Sequence, residues 1–500
     1  MRLRRIFVLI IMIGLKTSSF AQMDMKGMNM KKDTVPDSKM HMHKGNDTMK
    51  MSNDMKGMDI MNMKEDTTKP AHHNMDDMNM DMQKEGSPGK SMNMHAMSDA
   101  FSLNLPMERH GSGTGWLPDA SPMNGYMIHS AKWMYMLHGN LFIRYNNQDF
   151  SHKGSRGGDK FDAPSWFMFM GQRKVGKKNL FHFSSMFSLD PLLVGGYGYP
   201  LLFQSGEAYK GKALVDRQHP HDLFSELSVS YSHAFSKKTD AFVYLGYPGE
   251  PALGPVAFMH RPSALYNPDA PLSHHWSDAT HITFGVVTLG VRVGDVKLDG
   301  SLFTGREPND MRYDFDKPRF DSYSGRLSYN PSKNWALQVS HGFIKSPEEL
   351  HPVENINRTT ASAIYSLSLQ NDGWINVSSV YGLNKIKGHG GENSFLLEAS
   401  WKINRFALYS KYEYVEKSVE ELSLDENVYG ANALFPVNAL TLGFDYNLLH
   451  IGKTNISAGS QFTYYNADNR LNSLYGKNPM AFEVYLRIFP ALMKMHGMKM

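Results

Sequence analysis

Methionine and histidine crowd one end of this chain at spacings that suit a soft metal ion. Met23, Met25, Met28 and Met30 form one cluster, and Met40, His41, Met42 and His43 a second. His72, His73, Met75, Met78 and Met80 form a third, and Met94, His95 and Met97 close the run. More than half of the 36 methionines lie between residues 22 and 100. Thioether sulfur is soft and prefers ions such as Cu(I), whereas imidazole also accepts Cu(II). Met-x-Met spacing on a pliant backbone lets two or three sulfurs reach one ion. Thioethers need no deprotonation, so they serve in an oxidising or acidic compartment where a thiol would be lost. Met495, His496 and Met498 repeat the chemistry in the C-terminal tail, residues 491–500. The expected cofactor is copper, Cu(I) or Cu(II), with silver as a second ion and no organic group. A low-complexity linker and a methionine sink for oxidants are the alternatives.

The elements that must position this chemistry begin with a leader. Arg2, Arg4 and Arg5 precede the apolar run Ile6 to Leu15, and Ser19-Phe20-Ala21 offers small residues for cleavage after Ala21. This is the pattern of a secretory signal over residues 1–21, too short for a good membrane anchor. Residues 22–100 have almost no branched apolar or aromatic side chains, so they cannot bury a core and are expected to be disordered. The chain has no cysteine, which excludes disulfides and thiolate metal sites. A net charge of +4 over 500 residues gives no reason to expect nucleic acid.

The long second half sets the fold class. In the last strand Phe482, Val484, Leu486 and Ile488 fall on one face, and Glu483, Tyr485 and Arg487 on the other. Lys411 and Glu413 alternate with Ser410, Tyr412 and Tyr414; Arg326 and Ser328 alternate with Leu327 and Tyr329. A period of two with one apolar face marks a half-buried strand. Close turns are expected near 174–178, 236–239, 294–295, 331–333, 371–373, 402–404 and 450–453. Longer connections are expected over 146–163, 190–220, 248–277, 306–319, 345–355, 386–392, 416–435 and 466–478. Short and long connections alternate, which a soluble β-sandwich does not require. The expectation is all-β: an antiparallel transmembrane β-barrel of about 16 strands (about 14 to 18), spanning residues 131–490. A mean hydropathy of −0.43 fits, because lumenal residues dilute the lipid-facing ones. Residues 101–130 read as a linker or partial plug. Both tails are then expected in the periplasm, and the barrel in the outer membrane of a Gram-negative-type bacterium.

Two long loops carry more chemistry. The second holds Asp216-Arg217-Gln218-His219-Pro220-His221-Asp222, and the third holds His260, His274, His275, Asp278 and His281. Their Gly, Pro and apolar content is unusual for exposed loops, so they are expected to fold inward and narrow the lumen. His219, His221, His260, His274, His275 and His281, with Asp216, Asp222 and Asp278, are candidate ligands for zinc or copper. The alternative is a His/Asp/Arg network that pins the loops by hydrogen bonds. Ser205 or Ser225 near a His and an Asp would make a lipase-like triad, although no nucleophile motif flags one.

In overall plan the chain resembles the copper resistance protein B family: signal, Met/His-rich segment, barrel. Its barrel resembles a group of uncharacterised bacterial outer-membrane proteins. The stretches that carry this likeness are DRQHPHDLF (Asp216–Phe224), GEPALGPVAFMHRPSA (Gly249–Ala264) and HHWSDATHITFGVVT (His274–Thr288). The first resemblance implies copper binding, tolerance or transport, with outer-membrane lipid and periplasmic copper proteins or efflux components as partners. A porin-like channel for small solutes is the first alternative, and a barrel enzyme using the His/Asp loops the second.

Overall fold

The computed structural model describes residues 97–493, apart from 152, 388 and 389. The expected signal peptide, most of the Met/His-rich segment, and Met495, His496 and Met498 lie outside the described residues. Met97 lies inside them and is buried, so the folded part begins within the stretch expected to be disordered.

Alternation along the chain does build one closed antiparallel barrel of sixteen staves. The first three are β1 (Met134–Gln148), β2 (Ser165–Val175) and β3 (Asn179–Phe187). Gly158–Asp162 is the upper half of the second stave, interrupted at Ala163 and Pro164, where proline cannot donate to the ladder. The last stave, Met480–Pro490, closes on β1 with Phe482 opposite Asn147 and Ile488 opposite Leu141. Below that pairing a short strand, Tyr126–His129, covers the rest of the β1 edge. Closure leaves no row of unpaired backbone groups, which lipid would not tolerate.

Phe482, Val484, Leu486, Leu327 and Tyr329 point outward, and Glu483, Tyr485, Arg487, Arg326, Ser328, Lys411 and Glu413 are buried inside, as the period of two predicts. Leu289 and Leu298 stand on the exterior at 64% and 63% exposure. Aromatic side chains rim this apolar band: Trp335 lies against Tyr365 at the short-turn end, and Tyr323 against Phe343 at the other. This is the surface of a transmembrane barrel. Among the described residues no helix is long and apolar enough to cross a membrane, a fact that does not bear on crossing by strands.

The lumen is filled. Residues 97–125 run inside as a plug: Ser102 bonds Asp240 at 2.7 Å, Thr114 bonds Asp299 at 2.6 Å, and the Asn330 amide donates to the Leu117 carbonyl at 2.9 Å. The third long loop, residues 247–285, packs through the centre. Arg261 bridges Asp278 at 2.8 Å and Glu398 at 2.6 Å. The Leu272 amide donates to Glu413 at 2.6 Å, and Tyr485 donates to the Tyr266 carbonyl at 2.9 Å. Arg144 on β1 joins Asp162, Asp269 of this loop and Glu483 of the last stave. The inward folding expected from Gly and Pro content is therefore observed. The loop is longer than expected, running past Ser277 to Gly285, because His274–Ser277 and Ala279–His281 form helical turns and the next strand starts at Val286. The expected C-terminal tail also starts later: Leu492 bridges to Asn124, and the Met493 amide donates to the Met123 carbonyl at 2.9 Å.

Candidate metal centre

Five of the six candidate histidines meet in the lumen, each delivered by a short rigid piece of loop. His219 and His221 flank Pro220, whose fixed φ stiffens the segment. His274 and His275 open a single helical turn, His274–Ser277. Their rings cross at 78°, 5.2 Å apart. His281 ends the following 3-10 turn, Ala279–His281. The ring of His281 lies 5.1 Å from His274 and 5.6 Å from His221. That of His219 lies 5.9 Å from His274 and 5.7 Å from His275.

Each ring is held by the same nitrogen. His274 Nδ1 is 2.8 Å from Asp278 Oδ1, and His275 Nδ1 is 3.2 Å from Glu307 Oε1. His221 Nδ1 is 2.9 Å from Asp190 Oδ2, and His219 Nδ1 meets the Pro220 carbonyl at 3.3 Å with Glu207 Oε1 3.1 Å away. His281 Nδ1 is 2.8 Å from the Asp278 carbonyl, which can only accept, so that nitrogen carries the proton. All five Nε2 atoms are buried without a hydrogen-bond partner. An imidazole anchored through Nδ1–H to an acceptor, with Nε2 left open, is the usual arrangement of a metal-ligating histidine.

Burial disfavours the protonated form of four of these rings, His219, His274, His275 and His281. Burial is the main cause that lowers His274 and holds His219 and His281 well below the usual histidine range. Burial, reinforced by Lys417 and Arg358, brings His275 down to about 3. Burial would raise the Asp278 carboxyl, but Arg261 and the His274 hydrogen bond hold it below its ordinary value. Burial pushes Glu307 up to about 7, against the pull of Arg358.

One ligand atom from each of His219, His274 and His275 lies within 4.8 Å of the others. Tetrahedral zinc with Zn–N of about 2.0–2.1 Å needs nitrogens about 3.4 Å apart. His281 and His221 extend the group to one side.

The other candidates go elsewhere. His260 leaves the cluster and stands 5.8 Å from His138 and 4.7 Å from Trp166, ring to ring. Asp222 faces Arg312 at 3.4 Å. Asp216 accepts from the Phe203 amide at 2.7 Å and from Tyr475 at 3.1 Å, and meets Arg156 at 3.3 Å. For these two aspartates the loop-pinning alternative describes what is seen. Ser205 bonds Glu421 and receives Lys417, and Ser225 bonds the Asp222 carbonyl; neither hydrogen bond is to an imidazole. Asp190, Glu207 and Glu307, which anchor three of the rings, are not among the sequence candidates. Glu307 sits in a different loop from His275, so no local spacing connects them.

No family model and no curated protein matches the chain. Solved outer-membrane barrels resemble it at low identity. OmpF of Salmonella typhi in complex with daunomycin is 9% identical, with 72% of this chain and 100% of that chain covered and a TM-score of 0.46. An anion-selective porin from Comamonas acidovorans is 12% identical, covering 72% and 99%, with a TM-score of 0.44. The outer membrane channel DcaP of Acinetobacter baumannii is 9% identical, covering 73% and 100%, with a TM-score of 0.42.

Proposed function

We propose that this chain is an outer-membrane barrel that binds transition-metal ions, copper first, and serves copper or silver tolerance or transport. The observation that carries the reading is the convergence of His219, His274 and His275 in the lumen, with every Nδ1 anchored and every Nε2 open and buried. Neutral imidazoles accept Cu(II) and Zn(II), and the Asp278 carboxylate behind His274 raises the basicity of that ring. The Met/His clusters at both ends of the sequence add soft ligands suited to Cu(I) and Ag(I). Periplasmic copper proteins or efflux components would then exchange ions with those segments.

The test is metal content. Purified full-length chain is equilibrated with Zn(II) or Cu(II), passed through a desalting column and analysed by mass spectrometry. Replacing His219, His274 and His275 by Ala should remove about one equivalent per chain. Equal metal in the two proteins would remove the centre.

A second reading, a channel for small solutes, is favoured by the sixteen-stave architecture and by a cavity of 730 Å3 at the short-turn end, bordered by Asn371, Lys402, Arg405 and His450. Planar-bilayer recording separates the two. Porin-sized conductance that ignores added metal would favour the channel.

A further inference from the structure

Soft ligands also gather within the folded barrel. Among the described methionines, only Met311 and Met480 lie outside one lumenal cluster. The cause is a stripe on three adjacent staves. Met134, Met136 and His138 share the inward face of β1, because strand side chains repeat every second residue. Met168 and Met170 share that of β2, and His182 and Met186 that of β3. Register then lines them up across the sheet: Met136 opposite Met170, His138 opposite Met168, and Met168 opposite Met186. The plug adds Met107 and His110 from inside, and the third loop adds Met259 and His260. Of these, Met107, His110, Met136, His138, Met170, Met259 and His260 border a cavity of 80 Å3 between wall, plug and loop.

Packing alone does not account for this group. Methionine fills irregular gaps, but an ordinary core gains more order from Leu and Ile. Nor would an apolar core take in unsatisfied imidazoles. His110 Nδ1, His138 Nε2 and His182 Nε2 are buried with no hydrogen-bond partner. A buried nitrogen left unpaired is costly in such an interior. A bound cation beside His110 and His138 would remove two of those deficits.

We propose that this cavity is a binding site for a soft monovalent ion, Cu(I) or Ag(I), held by thioethers of Met107, Met136, Met170 and Met259 with an imidazole from His110 or His138. The site is distinct from the histidine centre in place and in chemistry. Nitrogen ligands there accept borderline divalent ions, whereas sulfur here selects against Zn(II). It does not rest on the histidine reading, and either can fail alone. Its position joins the two ends of the lumen. Met127 and Met493, in the same cluster, reach the short-turn rim. Phe258, on its other side, stacks 6.2 Å from His221.

The test uses the full-length chain purified in detergent. Crystals soaked in Ag(I) are examined for anomalous scattering, and bound Ag(I) and Zn(II) are counted in solution. A silver peak in the cavity beside Met136 and Met170 is expected. The Met136→Leu, Met170→Leu variant, nearly volume-conserving, should lose about one Ag(I) equivalent and keep its Zn(II) content. Silver found only on the terminal segments, or an unchanged silver count in the variant, would overturn the site. If the variant lost both metals through misfolding, the wild-type crystal would decide alone.

Discussion

The imidazoles of the lumen depend on uncharged neighbours as well as on the groups that anchor them. Gly206 is the clearest. Its φ of +127° is open to glycine and strained for other residues. A Cβ there would stand 2.5 Å from the His275 ring. Gly206→Ala should therefore push His275 off its Glu307 anchor while leaving the barrel wall untouched. Loss of an outer-shell anchor usually costs about 10-fold or more in metal affinity. Competition titration with a zinc chelator would measure it, and an unchanged affinity would mean that His275 is not a ligand. The same positions explain why the ligand set was only partly legible. His219-Pro220-His221 and His274-His275 announce themselves by spacing. His260 carries the same residue type, yet it belongs to the methionine cavity, because its turn points toward β1 and not toward His274.

Each strand alternates two environments, and the wall depends on keeping them apart. Leu289 sits mid-strand between Gly290 and Thr288, facing out, while Thr288 lies buried against Ser301 inside. Leu289→Arg would place a guanidinium in the apolar band and should destabilise the barrel by about 2–4 kcal/mol if that band spans lipid. Urea unfolding in lipid vesicles would show it. A change within about 0.5 kcal/mol would mean that this face is wet. The inward face of β1 to β3 obeys the same period but with thioethers, so the soft chemistry was in principle readable from Met134-x-Met136-x-His138 and Met168-x-Met170. The terminal segments, richer in methionine, masked it. Only the register shows that these short runs are neighbours.

At the scale of the molecule, the lumen is occupied by chain that enters from both ends. The third loop leaves and rejoins the wall at adjacent points, since Gly249 and Thr283 exchange backbone hydrogen bonds of 3.0 and 2.9 Å. Residues 250–282 can therefore be replaced by a short turn without moving either strand. The barrel ladder does not depend on them, so the excised protein should still insert. Its conductance in planar bilayers should rise several-fold over the intact chain, as a wide barrel of this strand number permits. Conductance unchanged by the excision would show that the plug alone, residues 97–125, closes the passage. Zinc content should fall with the same excision, because His274, His275 and His281 go with the loop.

Local pattern by itself determined the strands, their faces, the order of short and long connections and the closed all-β architecture. These follow from period-two alternation and turn chemistry, which act over a few residues. The inward folding of the second and third loops was also legible, since Gly, Pro and apolar side chains have no reason to stay in water. What only the tertiary structure decided was which side chains share a site. Glu307 meets His275, Arg261 meets Glu398, and Met107 joins Met170 in one cluster across gaps in sequence that spacing cannot bridge. Closure of the wall brings such groups together, and the low-dielectric interior then makes an unpaired nitrogen among them costly.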